Sequence, residues 1–379
     1  MTKDTEIIEI VEGNTKILIP AETLIKSAPS KLKIFFNPKA VISRDFSIIA
    51  YSAFSKKFKG PKIFLDALSG VGAKSLRVAN EIKTIQVIAN DVNYQAVKLG
   101  SRSAVLNNLD CYYISNEEAC NFLSMYSKKY KRGMIVDIDP FGSPSQYIDC
   151  GIRATMNCGL LSVTATDLQV LHGIFKKTCK RKYYGMPIKT KYSNEIAIRL
   201  ILGCIYLVAS RLNVTIEPIF VENNLHYYRV YVKIINKPDN NNQIGYVLHC
   251  KKCGNREINE QIQKCNNCAN TTEIAGPLWI SKLFDNEFVN CMLNEYYTHL
   301  NKKCYAVLKK CVLESQIAGV YFTSEEIASM LHMSPLKLTD IINELRKMNF
   351  MASPTSLNNC GFRTNAKIID IIEIFQSFK

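Results

Sequence analysis

The chain has 379 residues, 47% of them hydrophobic and 21% charged, with 17 glycines and 12 prolines. That composition excludes a disordered segment, a collagen-like repeat and a low-complexity scaffold, and the length sets an expectation of about two or three domains. A formal net charge of +15 suggests a polyanionic partner, most commonly nucleic acid, although a lysine-rich solubility surface would give the same count.

Met1 to Ile10 carries Asp4, Glu6 and Glu9 where a signal peptide needs positive charge and an apolar core. The longest apolar stretch, Ile196 to Ala209, is broken by Arg199 and is shorter than the roughly 20 residues of a membrane span. The expectation is a soluble, cytoplasmic protein with no membrane and no obligate protein partner. Without a secretory signal, the 14 cysteines do not read as a disulfide framework.

Ile7 to Val11 and Lys16 to Pro20 read as a strand pair turned at Glu12-Gly13-Asn14. From Ile63 the pattern becomes strand, turn, helix, repeated. Apolar runs at Ile63–Leu65, Gln86–Ala89, Tyr112–Ser115, Met134–Ile138 and Leu160–Thr164 alternate with helical stretches such as Ala73–Ile82 and Asn93–Leu106. This alternation predicts an α/β fold with a parallel sheet covered on both faces. After a long helix ending near Arg211, Thr215–Val221 and Tyr227–Ile235 read as a terminal hairpin.

Asp66-Ala67-Leu68-Ser69-Gly70-Val71-Gly72 follows the first strand of this unit and opens a helix. Glycines there let the backbone approach a ligand, and a helix N-terminus favours polar or anionic groups. Nineteen residues after Gly72, Asn90-Asp91 ends the next strand, where a carboxylate can accept both ribose hydroxyls of an adenosine. The third glycine of a dinucleotide fingerprint is missing, which favours S-adenosylmethionine over NAD. Glu117-Glu118-Ala119 stands where an adenine edge would be read, or where a helix begins with acids in its first turn.

The fourth strand ends in Asp137-Ile138-Asp139-Pro140-Phe141-Gly142, at the sheet edge where open parallel sheets bind ligands. An aryl amine is a poor nucleophile because its lone pair is delocalised. A carboxylate accepting its N–H bonds can orient it and take its proton, and a neighbouring aromatic can stack on the base. Asp-Pro-Phe alone does not choose between guanine, adenine and cytosine.

Over nearly its whole length the chain resembles the tRNA guanine-N2 dimethyltransferases of the Trm-one type, which modify guanine 26. The resemblance is carried by Phe35-Phe36-Asn37-Pro38-Lys39, Ser43-Arg44-Asp45, Asp66-Ala67-Leu68-Ser69, Asn90-Asp91 and Asp137 to Pro144. It continues in Val163 to Asp167, Arg181-Lys182-Tyr183 and Gly276-Pro277-Leu278-Trp279. It implies a Rossmann-like class I S-adenosylmethionine-dependent domain in which Arg44, Arg77, Asp91, Glu118 and Ala119 match cofactor-contacting positions, with Asp66 supporting the glycine turn. Asp139 matches the catalytic carboxylate, and Phe35 and Phe141, with Pro140, match the guanine site. The family often has Ala-Thr-Gly-Ile-Arg where this chain has Gly70-Val71-Gly72-Ala73-Lys74, and a Cys-Gly pair where it has His172-Gly173.

Lys176 to Lys191 holds seven cations and no acid. With Tyr183, Tyr184 and Tyr192 interleaved, it suits phosphates and stacking, Lys180, Arg181 and Lys182 being the expected tRNA contacts, although a solvated loop has the same composition. Pro238 to Gln243 is turn-rich, which sets the expected boundary between a methyltransferase domain, 1–240, and a smaller α+β tRNA-binding domain, 241–379. That second domain opens with Cys250-x2-Cys253-x11-Cys265-x2-Cys268, a set of four thiolates suited to a tetrahedral structural zinc; His249 beside it reads as a surface residue. Helical stretches around Thr323–Leu331 and Pro335–Asn349, with strand-like residues near Gly361, resemble a winged helix. A rival reading, a zinc-ribbon nucleic-acid binder with an inactive Rossmann-like domain, is opposed by the intact Asp91 and Asp139.

Overall fold

The computed structural model describes residues 6–25, 34–224, 226–261 and 263–378. Its first element is the expected hairpin, β1 (Ile7–Glu12) paired antiparallel with β2 (Thr15–Pro20) around Gly13-Asn14. The rest of the N-terminal extension, 1–5 and 26–33, lies outside the described residues.

The α/β unit then runs α1 (Val41–Lys57), β3 (Ile63–Asp66), α2 (Ala73–Glu81), β4 (Gln86–Asn90), α3 (Tyr94–Leu106), β5 (Tyr112–Ser115) and α4 (Ala119–Met125). It continues with β6 (Gly133–Ile138), α5 (Ile148–Ala154), β7 (Thr155–Ala165), α6 (Leu168–Leu171), α7 (Lys176–Tyr183), α8 (Ser193–Arg211), β8 (Thr215–Asn224) and β9 (Tyr227–Ile235). The sheet order is β5-β4-β3-β6-β7-β9-β8, with β5 to β7 parallel and the closing hairpin antiparallel. Every residue of β6 is buried, as a strand covered on both faces requires. The order reverses between β3 and β6, so the carboxyl ends of those strands frame the crevice where such sheets bind ligands. By length and apolarity α8 could cross a membrane, but most of it is buried in the core.

The remainder begins with an antiparallel sheet of β10 (Ile244–His249), β11 (Arg256–Asn259) and β12 (Glu273–Trp279), followed by α9 (Asn286–Asn294) and α10 (Lys302–Glu314). Then come β13 (Phe322–Thr323), α11 (Ser324–Met330), α12 (Leu338–Lys347), β14 (Ala352–Pro354), β15 (Gly361–Thr364) and α13 (Ile368–Ser377). The sheet β13-β15-β14 beside α11 and α12 gives the winged-helix arrangement. α12 starts at Leu338 rather than Pro335, because Leu336 O accepts Ser324 Oγ at 2.7 Å and the segment ahead of the Lys337 cap stays extended.

The apolar core does not stop at 240. It continues from the large sheet through Leu278, Trp279, Phe288 and Leu308 to Cys311, while Phe322 to Phe375 enclose a second, smaller core. A buried ionic chain joins the two. Arg363 on β15 donates to Glu195 Oε2 of α8 at 3.0 Å and to Glu314 Oε2 of α10 at 3.1 Å, and Arg199 Nε donates to Glu195 Oε1 at 3.0 Å. Two further features depart from expectation. Cys120 and Cys150 form a disulfide, because the packing of α4 on α5 brings their Cα atoms to 5.7 Å. His249 is buried rather than exposed, its ring 5.6 Å from that of Tyr192.

Candidate active site

The glycine turn is built as its residue types require. Gly72, at φ 82°, caps α2, and a Cβ there would stand 2.7 Å from Tyr112 Oη, so a side chain would meet both strain and a clash. Asp91 holds the turn from the neighbouring strand: Oδ2 accepts Gly70 N at 2.7 Å and Oδ1 accepts Asn93 N at 2.8 Å. Asn90 knits three strand ends together. Its amide donates to Ala67 O (3.1 Å) and Glu117 O (3.0 Å), and its Oδ1 accepts Ser115 Oγ (2.8 Å) and Glu117 N (3.0 Å). Asp66 lies beneath, buried, with Oδ1 lacking a partner among the described residues. Burial, reinforced by the charge of Asp137, pushes its carboxyl up to about 7.

At the end of β6 two carboxylates share two cations. Asp137 is fully buried and is gripped by Arg229 Nη2 at 2.7 Å to each oxygen, by Tyr51 Oη at 2.9 Å and by Lys74 Nζ at 2.9 Å. Asp139 is 32% exposed; its Oδ2 receives Lys74 Nζ at 2.5 Å and Arg229 Nη1 at 3.2 Å, so Oδ1 is the oxygen neither cation holds. Burial works to raise the Asp139 carboxyl, but Lys74 and then Arg229 outweigh it and hold the group well below the usual carboxylate range. The site therefore presents a carboxylate held in its ionised form at a strand end.

Phe35 and Phe141 meet edge to face over this carboxylate's loop, ring centroids 5.7 Å apart, with Phe141 71% exposed and Pro140 buried behind it. The loop is fastened to the end of β7: Gly142 N donates to Thr166 Oγ1 at 2.6 Å and Thr166 N to Gly142 O at 2.9 Å. Asp167 in turn accepts Tyr183 Oη at 2.6 Å, which anchors α7 and its Lys180, Arg181 and Lys182 beside the loop. The basic segment is thus partly helical rather than a loop. His172 bonds Tyr228 Oη, so it is a packed residue of the same edge.

The other expected cofactor residues fare differently. Arg44 pairs with Glu12 at 2.5 and 2.6 Å and donates to Asn37 O at 3.1 Å. Glu118 caps α4 through Oε2, which accepts Cys120 N at 2.8 Å and Asn121 N at 3.0 Å, and Ala119 is the first, buried residue of that helix. Arg77 is 0% exposed and pairs with Glu12 (3.0 Å), Asp45 (2.7 Å) and Glu81 (2.8 Å). Lys74, Arg229 and Tyr51 were missed as functional residues. An arginine inside the apolar strand Tyr227–Ile235 was the available signal, since a buried charge needs a partner.

The two cysteine knuckles have matching geometry. Gly254 N donates to Cys250 O at 2.9 Å and Ala269 N to Cys265 O at 2.8 Å, both donors having positive φ. The four Sγ atoms lie within 4.8 Å of one another, with Cys250–Cys268 at 3.4 Å and Cys253–Cys265 at 3.6 Å. A tetrahedral zinc with Zn–S near 2.3 Å separates its sulfurs by about 3.8 Å, so the residues fit the ion.

The geometry meets its relatives at this point. The sequence matches, over residues 13–376, the family described as N2,N2-dimethylguanosine tRNA methyltransferase. It is 32% identical to the tRNA (guanine(26)-N(2))-dimethyltransferase of Methanobrevibacter smithii, covering 97% of each chain. It is 31% identical to the tRNA (guanine(26)-N(2)/guanine(27)-N(2))-dimethyltransferase of Aquifex aeolicus, over 97% of this chain and 95% of that one. The solved structure of Trm1 from Pyrococcus horikoshii with S-adenosyl-L-methionine superposes with a TM-score of 0.84 at 26% identity, over 97% of this chain and 99% of that one. Family, full-length likeness and a methyltransferase crevice agree: the chain belongs to the N2,N2-dimethylguanosine tRNA methyltransferases.

Proposed function

We propose that this protein transfers one or two methyl groups from S-adenosylmethionine to the exocyclic N2 amine of guanine 26 in tRNA, in the cytoplasm. The observation that carries the reading is the ionised Asp139 carboxylate two residues before Phe141, whose ring meets that of Phe35. The crevice suits the cofactor: the buried Asp66 Oδ1, which has no partner among the described residues, is an acceptor for its ammonium, and Asp91 beside the glycine turn is one for its ribose. Bound there, S-adenosylmethionine supplies an electrophilic methyl group.

The chain's own residues do the rest. Phe35 and Phe141 hold a guanine drawn out of the RNA stack, as enzymes that modify bases do. Asp139 Oδ1 accepts an N–H of the amine, which fixes the ring and directs the nitrogen lone pair. As the amine gains the methyl group it becomes a cationic nitrogen acid much stronger than a carboxylic acid. A carboxylate with a depressed pKa can therefore still accept the proton. Lys74 and Arg229 keep Asp139 charged and hold its other oxygen. Lys180, Arg181 and Lys182 on α7 contact tRNA phosphates, and the unit from 241 onward, with zinc held by Cys250, Cys253, Cys265 and Cys268 for structure, supplies further RNA contacts.

Incubation with S-adenosylmethionine and unmodified tRNA, followed by nucleoside mass spectrometry, should yield N2-methyl- and N2,N2-dimethylguanosine, abolished by replacing guanine 26. Product on adenine or cytosine, or none at all, would defeat the reading.

A further inference from the structure

Between Glu295 and Glu314 the chain has four lysines, one histidine, three tyrosines and no acidic residue. Folding places Lys302, Lys303 and Lys309 on the exposed side of α10, while Cys304, Leu308 and Cys311 face inward. Lys56 and Lys57 on α1 are paired with Glu295 and Glu287; none of the three α10 lysines has a carboxylate within ion-pair distance among the described residues. Aromatic surface accompanies them. Tyr305 is 39% exposed with Lys309 Nζ 4.5 Å over its ring, and Tyr297 is 48% exposed and stacks on His299 at an interplanar angle of 10°. Unpaired cations beside exposed rings form the kind of surface that binds phosphates and unstacked bases together.

The position of α10 gives this face a purpose. Asn301 N donates to Asp45 Oδ2 at 3.0 Å and Cys304 Sγ lies 3.9 Å from Ile42 O, so the first turn of α10 docks on the first turn of α1, just after Phe35. At its other end, Glu314 holds Thr355 and Ser356. Leu357 O next to them accepts Asn194 and Asn223, the latter paired with Tyr228, which pairs with the last residue of β7. The helix therefore runs along the site edge of the sheet. On the Phe141 side the same edge carries α7, tied through Thr166 and Asp167.

We infer that the exposed face of α10, with Tyr297 and Tyr305, is a second tRNA-docking surface, taking the RNA strand that leaves the guanine site on the side away from α7. This rests on the tRNA-methyltransferase reading. A nucleotide drawn into the site stays joined to the chain on both sides, so both exits need phosphate contacts, and α7 serves only one.

The test is titration of the full-length protein with unmodified tRNA at several KCl concentrations. Lys302→Ala/Lys303→Ala/Lys309→Ala should reduce the slope of log affinity against log salt by about two to three units, at roughly 0.7–0.9 per lost phosphate contact. S-adenosylmethionine affinity and the rate at saturating tRNA should be unchanged. Neutralising the exposed Lys128, Lys129 and Lys131, which precede β6 at the opposite edge of the sheet, removes the same charge and should leave the slope as in wild type. A slope unchanged in the α10 variant, or reduced equally in the Lys128 control, overturns the inference. Wild-type protein that binds no tRNA would instead defeat the functional reading on which it rests.

Discussion

Replacing Lys74 by methionine preserves most of the length of a buried side chain and removes the cation between Asp137 and Asp139. In the native site Lys74 lies 2.5 Å from Asp139 and 2.9 Å from Asp137. An opposite charge at such range lowers a carboxyl pKa by about 1–3 units, or ~1.4–4 kcal/mol. Arg229, at 3.2 Å from Asp139, remains, but so does the burial that works to raise the carboxyl. The sign is fixed: the ionised form is the active one, so activity persists above the Asp139 pKa and is lost as pH falls through it. Wild-type methyl transfer should therefore be insensitive to acid through pH 5–8, while Lys74→Met should show an acid limb raised by about 1–3 units. The assay is single-turnover methylation at saturating S-adenosylmethionine and tRNA, carried from pH 8 down to about pH 3, where a limb raised from well below the usual carboxylate range comes into view. Lys74→Arg, which restores a cation, should return the flat profile. Coincident profiles for wild type and Lys74→Met would refute the idea that this lysine sets the charge of Asp139.

Asp139→Ala should lose at least ~100-fold in single-turnover rate with cofactor and tRNA affinities within a few-fold; near-normal rates would mean that placement alone activates the amine. Phe141→Ala should weaken tRNA or turnover by the worth of one stacked base, about 1–3 kcal/mol, without touching cofactor affinity in calorimetry. Because Asp66 takes up a proton near 7, S-adenosylmethionine affinity should fall as pH drops through that value, and Asp66→Asn should bind weakly with no such dependence. Cys253→Ser should lose zinc and lower the thermal midpoint, since metal binding there is folding free energy; full stability in the metal-free variant would contradict a structural role.

The alternation of short β-branched runs with helical stretches made the sheet legible, because a parallel strand covered on both faces has to read as a continuous apolar run. Gly72, Asp91 and Asp139 were legible for a related reason: turn chemistry and strand-end carboxylates are local, whereas the pairing of Phe35 with Phe141 followed only from the family resemblance. Lys74 and Arg229 were not. A charge inside a core has meaning only beside its partner, and here the partners sit 63 and 92 residues away at Asp137. The same holds for Arg77, whose ion pairs reach Glu12, Asp45 and Glu81. The packing of α4 on α5 that joins Cys120 to Cys150, and the seat of His249 against Tyr192, are tertiary facts with no local signature. α13 (Ile368–Ser377) is rich in isoleucine, a residue type as common in strands, so its helical form comes from packing rather than local preference.

The ionic chain from Arg199 through Glu195 and Arg363 to Glu314 bears on how this protein can be taken apart. Shortening it from the C-terminus past Arg363 would strip Glu195 and Glu314 of a counter-ion inside a dry interior, and breaking a buried pair costs about 3–5 kcal/mol. Serial truncation would thus unsettle α8, at the back of the methyltransferase sheet, well before it reported on RNA recognition. Dissection by surface point substitution keeps the two effects apart, and a fusion or tag belongs beyond α13 rather than in place of it.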